Sequence, residues 1–111
     1  MEKIILYSEE LPHISIHMSM YFNEKGQLIF DGQDLGKRVE EYWGDSDYEY
    51  TYTVEPQEVE KMFPLFGIPN ADRHLLLLEI QKRFGGKNKA YTLFGDFMKE
   101  NNINYYGSAW A

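Results

Sequence analysis

The chain has no cysteine, so disulfide staples, thiolate zinc sites and cysteine nucleophiles are excluded, as in many cytosolic proteins. Long apolar runs are also lacking. The longest, Leu75 to Leu78, falls far below the ~20 residues a membrane span needs, and insertion into a bilayer is excluded. The N-terminus MEKIILYSEELPH has a four-residue apolar run before acid intervenes, too short for a secretory signal, so a cytoplasmic protein is expected. Positive charge is scarce as well: Lys and Arg total 11 against 18 Asp and Glu, a net charge of −7. That balance argues against binding phosphate backbones, which clustered Lys and Arg drive, and no nucleic-acid partner is expected. A basic protein is the natural complement.

What is present is a globular composition. The 111 residues are 43% hydrophobic and 16% aromatic, enough for one compact core, while 26% charge keeps the surface polar. No repeat, low-complexity tract or linker divides the chain, so one domain over residues 1–111 is expected. The acid is concentrated. From Asp31 to Glu60 ten carboxylates face only Lys37 and Arg38, a segment charge of −8, whereas the flanking segments nearly cancel.

Periodicity supplies the elements. Lys3 to Tyr7 is apolar and β-branched, with Leu11-Pro12 closing a first strand. From His13 to Phe22, Ile14, Ile16, Met18, Met20 and Phe22 alternate with His13, Ser15, His17, Ser19 and Tyr21, the period of a half-buried strand. Asn23 to Gly26 makes a turn and Gln27 to Asp31 returns as a hairpin. Asp34 is placed as the cap of a helix carrying Leu35, Val39, Tyr42 and Trp43 on one face and ending at Gly44. A second alternation follows, with Tyr48, Tyr50, Tyr52 and Val54 opposite Asp47, Glu49, Thr51, Thr53 and Glu55, placed beside the hairpin.

The second half reads as helical. Pro56 opens a short helix with Val59, Met62 and Phe63 on its apolar side, ended at the FGIP turn. Asn70 is expected to cap Ala71 to Phe84, apolar at Leu75, Leu76, Leu78, Ile80 and Phe84, with Gly85-Gly86 as its stop. Ala90, Phe94, Phe97 and Met98 set a further helix over Ala90 to Glu100, interrupted in propensity by Gly95. The tail Ile103 to Trp110 is a strand or an aromatic arm. The expected fold is α+β: an antiparallel sheet of three or four strands with helices packed on one face.

Catalytic signatures are missing. Asp45, Asp47 and Glu49 have the spacing of the first calcium-loop ligands, but Tyr50 and Pro56 stand where such a loop needs Gly and a bidentate Glu. His13 and His17, if on one strand face, would lie ~13 Å apart, too far to share an ion. No G-x-S-x-G or phosphate-loop motif is present. Neither catalysis, a metal nor a cofactor is expected, although a small hydrolytic or metal-dependent enzyme using the DSDYE carboxylates stands as a third possibility. The tyrosine stripe is read as an inner sheet face rather than an exposed platform. That leaves Asp47, Glu49 and Thr51 outside, beside Glu40 and Glu41, as a negative patch rimmed by Tyr42, Trp43 or tail aromatics. Lopsided charge for solubility alone is the competing reading.

The string GQDLG…VEEYWGDSDYEYTYTV, Gly32 to Val54, resembles a motif of small bacterial proteins, some of them similar to immunity proteins of polymorphic or contact-dependent toxin systems. The match covers about a fifth of the chain. The resemblance implies a cytoplasmic inhibitor that covers a basic toxin domain, often a nuclease, and it carries over no catalytic residue. On this reading Glu40, Glu41, Asp45, Asp47 and Glu49 contact the basic partner. A ligand-binding or regulatory domain with an aromatic pocket between Tyr50, Tyr52 and the helices is the alternative.

Overall fold

A computed structural model describes residues 2–36 and 47–110. Five strands, β1 (Lys3–Leu11), β2 (Ile14–Phe22), β3 (Leu28–Leu35), β4 (Asp47–Val54) and β5 (Tyr106–Trp110), form one antiparallel sheet in sequence order. Between β4 and β5 run α1 (Pro56–Val59), α2 (Met62–Leu65), α3 (Arg73–Phe84) and α4 (Ala90–Glu100). The α+β reading stands. The sheet has one strand more than expected because the tail pairs with β4, Glu49 opposite Trp110 and Thr53 opposite Tyr106.

The period of two in β2 and β4 places their apolar residues on one face. Met18, Met20, Phe22, Tyr50, Tyr52 and Val54 are buried there with Leu28 and Phe30 of β3. Onto this face pack the helices. Phe94 of α4 lies against Phe30 and Phe84, and the Tyr91 ring stacks on Tyr52 at 4.0 Å. On the same face, toward the β1 edge, α3 meets β1, where Gln81 Nε2 donates to the Ile5 carbonyl and the Gly86 N–H donates to the Leu6 carbonyl. Register shifts between Ile5 and Tyr7, and both accepting carbonyls lie at that bulge. The β2–β3 turn closes as expected: Gly26 has φ +76° and the Asn23 side chain accepts from the Lys25 and Gln27 N–H groups.

Several boundaries differ from the sequence reading. Asp34 and Leu35 do not begin a helix. They continue β3, Asp34 opposite both Ile16 and Tyr48, because ladder partners on two sides outbid a lone cap. The rest of that expected helix, Val39, Tyr42 and Trp43 included, lies outside the described residues. β1 runs on to Leu11, and Pro12-His13 form the turn into β2, so His13 does not share a strand face with His17. The cap of α3 is Asp72, whose side chain accepts from the Leu75 N–H, not Asn70. Its buried face is Leu76, Leu77, Ile80 and Phe84, leaving Leu75 and Leu78 exposed. At 100° per residue the first four share one stripe and the other two fall outside it. In α4, Gly95 is required rather than tolerated: a Cβ there would sit 2.2 Å from the Tyr52 hydroxyl oxygen.

Candidate functional site

No described helix covers the second face of the sheet, and the register assembles it from residues far apart in the chain. Lys3, Ile5, Ser8 and Glu10 of β1 neighbour Tyr21, Ser19, His17 and Ser15 of β2, followed by Ile29, Asp31 and Gln33 of β3 and Glu49, Thr51 and Thr53 of β4. At its β5 edge Tyr106 is 69% and Trp110 49% exposed, and Trp110 pairs with Glu49. Lys3 lies over the Tyr21 ring at 5.2 Å. A shallow groove of about 390 Å³ runs across β1 to β3, its polar wall formed by Ser8, His17, Ser19, Asp31 and Gln33.

Of the residues expected to contact a partner, Glu49 is half-buried and accepts from Gln33 Nε2 at 3.4 Å. Asp47 pairs with Leu35 at the start of β4. Glu40, Glu41 and Asp45 lie outside the described residues. Sequence reading missed the contribution of Glu10 and Asp31 to this face, because only the meander brings β1 and β3 beside β2.

It also missed a serine beside a histidine. Ser8 Oγ and His17 Nδ1 lie 3.1 Å apart, and His17 Nε2 is 3.9 Å from Glu10 Oε1. The spacing resembles a nucleophile, base and acid, but Glu10 is largely solvent-exposed and too distant for a hydrogen bond, so it fixes neither tautomer nor orientation of the ring. Ser8 and His17 here are an exposed hydrogen-bonded pair. Among the described residues no group of three or more His, Asp or Glu side chains is placed to hold a metal.

The opposite, helix-bearing face holds a second concentration of chemistry. Where β2, β3 and β4 extend past the first turn of α4, a cleft of about 260 Å³ is lined by Ile16, Met18, Asp34, Tyr48, Tyr50 and Tyr91, with Lys89 on its rim. The Tyr50 hydroxyl donates to Asp34 Oδ1 at 2.8 Å, and the Tyr91 hydroxyl donates to the Thr51 carbonyl at 3.0 Å. Tyr91 meets Tyr50 edge-on, 4.9 Å between centroids at 68°, while Tyr48 is tilted 40° to Tyr50 at 5.7 Å. Burial raises the Asp34 carboxyl above the ordinary range, partly offset by the bond from Tyr50. Burial also raises Tyr50, reinforced by the bond to Asp34 and by that carboxylate's charge, and it raises Tyr91. Both hydroxyls therefore stay protonated donors at neutral pH. The alternation of β4 shows the tyrosines in sequence, but nothing there shows that Asp34 and Tyr91 join them.

Compared with protein-family models, curated proteins and solved structures, the chain matches none.

Proposed function

We propose that this is a non-catalytic acidic binding domain whose sheet face, the one bearing no described helix, docks a basic protein, in the manner of an immunity-type inhibitor covering a cationic toxin domain such as a nuclease. The packing of the described helices on one face supports this reading. It leaves Glu10, Asp31 and Glu49 on a surface bordered by exposed Tyr106 and Trp110, in a chain whose central segment carries −8. Acid steers a cationic partner into encounter, and Trp and Tyr supply the anchors that hold it. The chain's net charge of −7 acts in the same sense. The partner contact is tested with wild-type chain and a Glu10→Lys/Asp31→Lys/Glu49→Lys variant immobilised side by side. A basic protein held by the wild type alone, then purified and reconstituted, is expected to bind with an on-rate that falls between low and physiological salt. Unchanged rate and affinity for the triple reversal would overturn the reading.

The cleft around Asp34 favours a second reading, a small-ligand-binding domain. It has three convergent aromatic rings, one partly desolvated acid and hydroxyls locked by hydrogen bonds, the combination of apolar wall and few oriented polar groups that ligand sites use.

A further inference from the structure

We propose that the cleft between β2, β3, β4 and the first turn of α4 binds a small organic cation, an alkylammonium or guanidinium group on a short apolar stem, with its charge on Asp34 against the rings of Tyr48, Tyr50 and Tyr91. This rests on the reading of the cleft as a ligand site and names what enters it. Four observations select the class. First, the only acid lining the cleft among the described residues is Asp34, with one carboxylate oxygen engaged by the Tyr50 hydroxyl. Second, three rings line this one small volume, Tyr91 at 68° and Tyr48 at 40° to Tyr50, and aromatic faces attract cations electrostatically.

Third, two of the three rings are held before any ligand arrives. Tyr50 is tied to Asp34 and Tyr91 to the Thr51 carbonyl, and Tyr91 is also stacked on buried Tyr52, so little ordering remains for binding to offset. Fourth, Ile16 and Met18 give an apolar floor for a stem, and about 260 Å³ is below the ~300–1,000 Å³ of drug-sized pockets, which limits the occupant to one head group and a few carbons. A half-buried carboxylate with its pKa raised by desolvation gains from an incoming positive charge. Lys89 opposes this. It is exposed on the rim, and its long stem lets the ammonium turn to water, so its repulsion is weaker than the attraction of the half-buried Asp34.

The probes are n-propylguanidinium, n-propylammonium and the neutral isostere n-propylurea, titrated by calorimetry and by amide shifts of Gly32, Tyr50 and Tyr91. The cations are expected to bind at least tenfold more tightly than the urea. Asp34→Asn, which keeps shape and an acceptor for Tyr50, should abolish that preference, and Lys89→Met should increase it severalfold. Equal binding of urea and guanidinium, or a preference that survives Asp34→Asn, overturns the cation assignment while leaving a ligand cleft. No shift at these amides with any probe overturns the ligand reading itself.

Discussion

Gly32 sits in the middle of β3, where glycine ordinarily weakens a strand and Gly→Ala should stabilise by about 0.5–1 kcal/mol. The opposite is expected here. Gly32 is paired with Tyr50, and a Cβ on Gly32 would lie 2.0, 2.5 and 2.6 Å from Cε2, Cδ2 and Cζ of that ring. The ring cannot slide aside without losing its edge contact with Tyr91 and its bond to Asp34. Overpacking a core costs about 1–3 kcal/mol, and a lost hydrogen bond to a half-exposed carboxylate about 1 kcal/mol more. Net of the strand gain, Gly32→Ala should destabilise by roughly 1–3.5 kcal/mol, a fall in Tm of about 4–14 °C for a chain of this length. The cause is isolated by a double-mutant cycle in chemical denaturation. Tyr50→Ala alone should cost about 3–5 kcal/mol, the range for a large buried aromatic. In that background the added Gly32→Ala should be neutral or slightly stabilising. Additive losses, or a Gly32→Ala variant as stable as wild type, would refute the placement of the Tyr50 ring over Gly32.

Gly95→Ala should likewise lose about 1–3 kcal/mol to overpacking, because its Cβ meets the Tyr52 hydroxyl, and recover only ~1 kcal/mol of it in helix propensity; Tyr52→Phe in the same cycle should recover part of the loss, and no recovery would count against that contact. Asp72→Ala should cost about 0.5–2 kcal/mol as a lost cap while Asn70→Ala costs almost nothing, and thermal melts that reverse this order would return the cap to Asn70. His74 pairs with Glu2, which raises its pKa, first through the hydrogen bond and then through charge; stability from this pair is full below the unfolded value near 6.5 and is lost as pH rises through the folded value. An NMR titration should therefore show the His74 midpoint falling in Glu2→Gln, and an unchanged midpoint would remove the pair. Asp34 has a raised carboxyl pKa, so the stability its protonated form contributes is full below about 3.9 and disappears as pH rises through the folded value. Asp34→Asn should gain on wild type in denaturation between pH 4 and pH 7, and wild type gaining on the variant would show the ionised carboxylate is favoured.

Local pattern determined much of this protein without reference to distant residues. The alternations in β2 and β4, the Asn23 to Gly26 turn, Pro56 at the first turn of α1 and the Phe94, Phe97 and Met98 stripe of α4 are all readable because each depends only on neighbours within one or two turns or pleats. The surplus of acid and the absence of cysteine are likewise properties of the sequence alone. Tertiary structure decided whatever needed two elements at once. Asp34 has the residue type of a helix cap, yet it lies in a strand because Ile16 and Tyr48 pair with it from both sides. Gly32 and Gly95 look like weak points in a strand and a helix, and each is instead the space that a tyrosine from β4 fills. The tail could have been an arm, and the free edge of β4 made it a strand. Ser8 meets His17 only through the first hairpin, and Asp34, Tyr50 and Tyr91 meet only where β3, β4 and α4 converge. Periodicity records which way a side chain points, but not which other chain segment waits there, since that is set by the packing of the whole sheet against its helices.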